Sequence, residues 1–309
     1  MNVPASSTPL SLRALLVRLV VNHVMRPVLA TPPTAANRLR LEKLTGLTWV
    51  PRGTKITEGQ LGNVPVEWVA NSTAGARGFV LYLHGGGYVT GSPRTHRGLT
   101  SRIARAARVC VAVPDYRLAP EHPHPAAVDD ALAAYKGLLD QGIPPHKIII
   151  AGDSAGGGLS LALALRIKAA PLPQPAGLVL LSPWTDLTLA GGSMQSPQQK
   201  EWLLTKSFIV DAANHYAGGQ DARQPTASPL FADLTGLAAM LVQVGTEEVL
   251  LDDSTRLSQA ATQQGVPVTL QIWPQLWHVW QLHGGQMPEA DRAIAAIAEF
   301  IHGRLTGKL

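Results

Sequence analysis

The sequence predicts an α/β fold in which a mostly parallel sheet is covered by helices on both faces. Three observations carry this reading. Short apolar, β-rich runs recur along the chain: Val64–Ala70, Phe79–Leu83, Val109–Val113, Ile148–Ala151, Leu178–Leu181, Leu241–Val244 and Val268–Trp273. Segments with helical periodicity separate many of them, among them Ala126–Leu139, Ala155–Ala170 and Thr255–Gln264, and Ala290–Leu305 reads as a final helix. The runs are almost continuously apolar rather than alternating, as expected of strands that crossover helices bury on both sides.

At the N-terminus, Leu15, Leu16, Leu19, Val20 and Val24 repeat at helical spacing. Arg13, Arg18, His23 and Arg26 interrupt the apolar stretch Leu12–Val28, and no clean small-residue cleavage site follows, so neither a signal peptide nor a membrane span is expected. An amphipathic helix packed on the domain is expected, with a helix lying on a membrane surface as the alternative. The runs near Trp49 and at Val64–Ala70 have no helix between them, so the sheet should begin antiparallel. Arg94, Arg97, Arg102, Arg105 and Arg108 recur as on the wet face of a helix. Val128, Ala131, Leu132, Tyr135, Leu138 and Leu139 fall on one helical face, and Asp253 and Ser254 are N-cap candidates for the helix from Thr255. No internal repeat is found. Residues 1–45 and 184–225 do not fit the alternation; the second has a helical stretch near Glu201–Tyr216. Long insertions in a compact domain often form lids. Both are therefore expected to pack together as a helical cap over a catalytic domain of residues 46–183 and 226–309.

The 309 residues suit one large domain or two ordinary ones, and 46% apolar with 15% charged residues argues for a well-buried core and against disorder. The net charge of +5 comes from scattered cations without a basic run, and aromatics are 5%, so a nucleic-acid partner is not expected. The single cysteine, Cys110, lies among Val109, Val111 and Val113, which suits a structural thiol in a strand and is compatible with a cytoplasmic location.

The chemistry centres on Gly152-Asp153-Ser154-Ala155-Gly156, which directly follows one apolar run and directly opens a helical segment. In that strand–turn–helix setting a Gly-x-Ser-x-Gly sequence forms a nucleophile elbow, with the serine hydroxyl lifted beyond the sheet edge and a helix N-terminus behind it. Upstream, His84-Gly85-Gly86-Gly87-Tyr88 follows the run Phe79–Leu83. Successive glycines let backbone N–H groups reach a tetrahedral oxyanion, and the N–H of Ala155 would complete the set. A phosphate-loop reading fails because no Lys-Ser/Thr pair follows the glycines.

With a nucleophile elbow the chain order is serine, then acid, then histidine. His84 precedes Ser154 and is expected to hold its loop. Of His215, His278, His283 and His302, His278 follows the last strand by a short loop, where the base belongs. The acid should follow Leu241–Val244, where Glu247, Glu248, Asp252 and Asp253 are all available. Helix capping suffices to explain the two aspartates, and the two glutamates lie nearer the strand end.

Together, His84–Ser92, the segment Asp115–Pro123, Gly152–Gly157, Ser182-Pro183-Trp184 and the Gly245–Asp253 loop resemble the bacterial hormone-sensitive-lipase-like carboxylesterases, over residues 45–305. The resemblance implies an α/β-hydrolase fold. It also implies a Ser154 nucleophile, a His278 base and an oxyanion hole from Gly85, Gly86, Gly87 and Ala155, chiefly Gly86 and Gly87. Glu248-Val249-Leu250-Leu251-Asp252 matches the family's Asp-Pro-Leu-x-Asp pattern and so puts Glu248 at the acid position, thirty residues before His278. Two departures stand out: Glu replaces the commoner Asp, and His278-Val279-Trp280 replaces the frequent His-Gly-Phe. The implied activity is hydrolysis of short- to medium-chain carboxylic esters without cofactor or metal. An amidase, lactonase or xenobiotic-ester hydrolase on the same triad is the alternative, and a non-catalytic receptor of the same fold is a more distant one. Tyr88, Trp202, Phe208 and Trp280 are candidate pocket residues. A homodimer is in keeping with the family, and stable membrane insertion is not expected. His122-Pro123-His124 lacks a third ligand and is read as structural, with Arg117 and Glu121 as buried partners.

Overall fold

The computed structural model describes residues 9–46, 49–71 and 75–307. Eight strands form one sheet: β1 (Thr54–Leu61), β2 (Val64–Asn71), β3 (Phe79–Leu83), β4 (Cys110–Pro114), β5 (Ile148–Asp153), β6 (Gly177–Leu181), β7 (Met240–Gly245) and β8 (Val268–Trp273). Their order is β1-β2-β4-β3-β5-β6-β7-β8. β1 pairs antiparallel with β2 and β2 antiparallel with β4; every later pairing is parallel. The antiparallel start is as expected, but its first strand is Thr54–Leu61, not the run near Trp49. β1 is a polar edge strand with only its last residue buried, so an apolar-run criterion passes over it.

The helices are α1 (Leu12–Val20), continued by a π-helical turn at Val21–Met25, α2 (Arg26–Leu29), α3 (Ala35–Thr45), α4 (Pro93–Ala107), α5 (Ala126–Asp140), α6 (Ala155–Ala169), α7 (Gly192–Gln195), α8 (Lys206–Ala217), α9 (Leu251–Gln263) and α10 (Pro288–Thr306). Side chains alternate across the strands as the pleat requires. Val80, Tyr82, Ile149, Ala151, Val179 and Leu181 meet α4 and α10 on one face. Leu81, Leu83, Ile148, Ile150, Leu178 and Leu180 meet α5, α6 and α9 on the other. A third cluster packs Ala14 and Val21 against Leu276, Trp277, Trp280 and α10. It seats the N-terminal helices beside the loop after β8.

Two local expectations change. α9 starts at Leu251, so Asp253 and Ser254 lie inside its first turn and Leu250 is the N-cap. Asp253 instead accepts from the amides of Thr185 and Asp186 (2.8 and 2.9 Å), fixing the chain after β6. Arg117 and Glu121 are about half exposed and do not pair with each other: Arg117 holds Asp130 (2.7 Å) and Glu121 holds Arg38 (2.7 Å). Among the described residues no helix is long and apolar enough to cross a membrane.

Candidate active site

β5 ends at Asp153 and α6 begins at Ala155, leaving Ser154 alone at the turn with φ 53° and ψ −122°. This backbone conformation costs a non-glycine residue on the order of 1–3 kcal/mol. The surroundings hold it: the Ser154 amide donates to the Leu181 carbonyl (2.8 Å), and its carbonyl accepts from Gly158 and Trp184 (3.1 and 2.9 Å). Gly156 is required sterically, because a Cβ there would run into the Leu83 and His84 carbonyls. The helix therefore starts directly against β3, and the Ser154 hydroxyl stands at the sheet's carboxyl edge.

His278 lies in the loop after β8. Its Nε2 is 2.9 Å from Ser154 Oγ and its Nδ1 is 2.8 Å from Glu248 Oε2. An ionised carboxylate only accepts, so Nδ1 carries the proton and Nε2 is the acceptor facing the serine. All three groups are buried. Burial lowers the pKa of the ring, but the hydrogen bond and charge of Glu248 outweigh it, and the result lies above the ordinary histidine value.

Glu248 is held in turn. Its Oε1 accepts from the Gly245 amide (2.7 Å) and from Ser182 Oγ (2.8 Å). Ser182 Oγ also accepts from the Val279 amide (3.2 Å), tying the acid loop to the histidine loop. The other acidic candidates face elsewhere. Glu247 pairs with Arg18 and Lys200 (3.2 and 3.1 Å), and Asp252 accepts from the Ser193 amide (2.8 Å). Nor do the other histidines after Ser154 meet it. His283 sits a few residues further in the same loop, where burial pushes its pKa down to about 4. His215 lies on α8 and His302 on α10.

The glycine loop after β3 is folded back on itself. Gly86 has φ 123°, a region in which only glycine is relaxed, and its carbonyl accepts from the amides of Val89 and Thr90 (3.1 and 3.0 Å). Among the described residues, the amides of Gly86, Gly87 and Ala155 have no hydrogen-bond acceptor in the protein. Gly85 differs from expectation: its amide donates to Asp153 Oδ1 (3.1 Å) and is already engaged. His84 is fully buried and stacked on Tyr116 (4.2 Å between centroids), and burial drives its pKa down to about 3, so the ring stays neutral and holds the loop.

Sequence reasoning missed the link between the loop and the elbow. Asp153 accepts from Tyr82 Oη (2.7 Å) and faces His96 Nε2 on α4 at 3.3 Å. Burial raises the Asp153 pKa, yet the His96 ring and the Tyr82 hydroxyl outweigh it and leave it below its usual value. Burial lowers that of His96, and Asp153 more than restores it. Tyr82, His96, the Gly85 amide and Asp153 thus form one buried hydrogen-bonded cluster joining α4, the glycine loop and β5. Nothing in the spacing of His96 marked it, and Asp153 passed as the variable position of its motif.

A cavity of about 310 Å³ opens over Ser154 and His278. The N-terminal helices supply Val20, Met25 and Leu29 to its wall, and the segment before and within α8 supplies Leu203, Leu204 and Phe208. Of the four expected pocket residues only Phe208 lines it. Tyr88 is buried and stacked on Tyr216 (3.6 Å). Trp280 packs on Trp273 (5.6 Å) in the cluster under α1. Trp202 donates to Glu247 (2.7 Å) beneath the Arg18 guanidinium (4.4 Å). These large rings serve packing because each finds an aromatic or charged partner away from the opening.

Residues 80–282 match a protein family described as having the alpha/beta hydrolase fold. An acetyl-hydrolase of Streptomyces hygroscopicus is 44% identical over 85% of this chain and 86% of its own length. An esterase of Acinetobacter venetianus is 43% identical over 74% of this chain and 75% of its own. The crystal structure of an esterase from the bacterial hormone-sensitive lipase family superposes with a TM-score of 0.90 at 40% identity, covering 96% of this chain and 100% of that one.

Proposed function

The chain belongs to the bacterial hormone-sensitive lipase family of α/β hydrolases, and on that premise we propose that it is a serine carboxylesterase acting through Ser154, His278 and Glu248. The observation that carries this is the continuous hydrogen-bonded line from Ser154 Oγ through both ring nitrogens of His278 to Glu248, at 2.9 and 2.8 Å. In the first step Ser154 Oγ attacks the ester carbonyl carbon as His278 Nε2 takes its proton. The carbonyl oxygen becomes an oxyanion, stabilised by the amides of Gly86, Gly87 and Ala155. The proton on Nε2 then passes to the alcohol oxygen as the carbon–oxygen bond breaks, leaving an acyl-enzyme. Water gives its proton to Nε2 and attacks the acyl carbon; the bond to Oγ breaks, Ser154 regains the proton, and the acid departs. No cofactor enters this sequence.

The described residues 9–45 and the segment 184–225 act as one cap, because both contribute side chains to the cavity wall over the serine. The volume suits a short- to medium-chain ester. With p-nitrophenyl esters of increasing chain length, kcat/KM is expected to peak at short to medium acyl groups and fall beyond them; a profile highest for long chains would contradict this. Phe208→Ala, which removes a ring from the wall, should shift the preference toward longer acyl groups by on the order of tenfold, read as a ratio of kcat/KM values.

The pH dependence follows from His278. Only the neutral ring accepts the serine proton, and Glu248 lifts its pKa above the ordinary histidine value of 6.5. Activity should therefore rise with pH on an acid limb centred above that value. Glu248→Gln should move that limb to lower pH while lowering kcat. A pH–rate profile of kcat/KM for both proteins checks the sign.

A further inference from the structure

α1 and the π-helical turn after it present two unlike faces. The inner one is fixed: Ala14 and Val21 are buried, Ser11 Oγ donates to Glu289 (2.9 Å), Arg18 pairs with Glu247, and Arg26 donates to the Glu201 carbonyl (2.6 Å). The outer one is an open apolar stripe of Leu12, Leu15, Leu16, Leu19, Val20 and Val24, with Leu12 74% and Leu16 57% exposed. Val20 belongs to both the stripe and the cavity wall, so apolar surface runs from the outside of the molecule into the site.

Within the N-terminal segment itself the charge is of one sign. Residues 1–41 contain five arginines and no aspartate or glutamate. Arg18, Arg26 and Arg38 are engaged within the fold, whereas Arg13, Arg40 and His23 are exposed. An apolar helix face with basic flanks suits the boundary of an anionic bilayer, where the leucines enter the acyl region and the arginines meet the headgroups. A second copy of the chain fits less well. A two-fold contact would bring two copies of this same cation-bearing segment together, with no aspartate or glutamate within residues 1–41 of either to offset them.

We propose that the outer face of α1 docks the enzyme on anionic lipid surfaces and that the stripe leads from that surface to the cavity. Docking stands apart from the esterase reading; delivery of poorly soluble esters along the stripe rests on it. The test is flotation of the full-length protein with vesicles of phosphatidylcholine alone and of phosphatidylcholine mixed with phosphatidylglycerol. Binding is expected to the mixed vesicles only, and to weaken as salt is raised. Arg13→Glu should weaken it by roughly twentyfold, since each unit of charge near such a surface changes partitioning about fivefold. Leu16→Glu with Leu19→Glu should weaken it by about a hundredfold or more, while turnover of soluble p-nitrophenyl acetate stays at the wild-type level, because neither leucine lines the cavity. That turnover separates the two readings: loss of flotation with intact turnover concerns the surface alone. Three results would overturn the proposal: no flotation of the wild type on mixed vesicles, flotation unchanged in the leucine variant, or a wild-type dimer in solution that the leucine variant converts to monomer.

Discussion

Ser154→Ala is expected to lower kcat for p-nitrophenyl butyrate by on the order of 10⁴- to 10⁶-fold, with the fold intact. The loss is large because the serine, histidine and carboxylate act as a unit: without Oγ, the His278 ring has no nucleophile to deprotonate at 2.9 Å. The backbone is not the cause, since alanine meets the same φ of 53° that the serine already adopts. The residual rate should reflect water attack on an ester whose carbonyl is still polarised by the Gly86, Gly87 and Ala155 amides. Thermal unfolding followed by circular dichroism should show little change, since only one hydroxyl is removed. Near-wild-type turnover in this variant would end the assignment.

The second large effect concerns the acid. Glu248 accepts three hydrogen bonds, from Gly245, Ser182 and His278. Glutamine has the same shape but replaces one acceptor oxygen with a donor group. In either orientation of the amide a donor faces a donor, either the Gly245 amide and Ser182 or the Nδ1 proton of His278. In the second orientation the ring must move its proton to Nε2, where it can no longer accept from Ser154. Glu248→Gln is therefore expected to lower kcat by about 10³- to 10⁴-fold and to cost about 1–3 kcal/mol of stability from the mismatched buried groups. Asp252→Asn is the control. Asp252 meets the Ser193 amide rather than His278, so its activity should stay within a fewfold of wild type. The opposite ranking, with a folded Asp252→Asn inactive and Glu248→Gln active, would move the acid elsewhere.

The parts of this arrangement that were legible in the sequence are those with local physical signatures. Buried parallel strands leave nearly unbroken apolar runs, and β3 to β7 were marked that way, whereas β8 is an edge strand in which only Gln271 is buried. The elbow was legible because its strand, glycines and helix are contiguous. β1 left no such mark, because an edge strand can stay polar. The acid shows the limit most clearly. Glu247 and Glu248 are adjacent, and only the turn after β7 decides which one faces His278; spacing from the strand could not separate them, whereas the family pattern could. Gly85 looked equivalent to its neighbours, yet its amide is taken by Asp153, a contact 68 residues distant. The pocket expectations erred for a related reason. Tyr88, Trp202 and Trp280 are large enough to line a cavity, but their rings are committed to Tyr216, Glu247 with Arg18, and Trp273. The N-terminal contribution to the wall depends on how α1 seats against α10, which no local pattern records.

The proposed acyl transfer passes through Ser154. The most direct measurement is rapid mixing with a slowly deacylating p-nitrophenyl ester, followed by acid quench, protease digestion and mass spectrometry of the peptides. A burst of one p-nitrophenol per chain and an acyl group on the peptide containing Ser154 are expected, both absent in Ser154→Ala. Full turnover with no burst and no adduct under those conditions, or an adduct on a different residue, would contradict it.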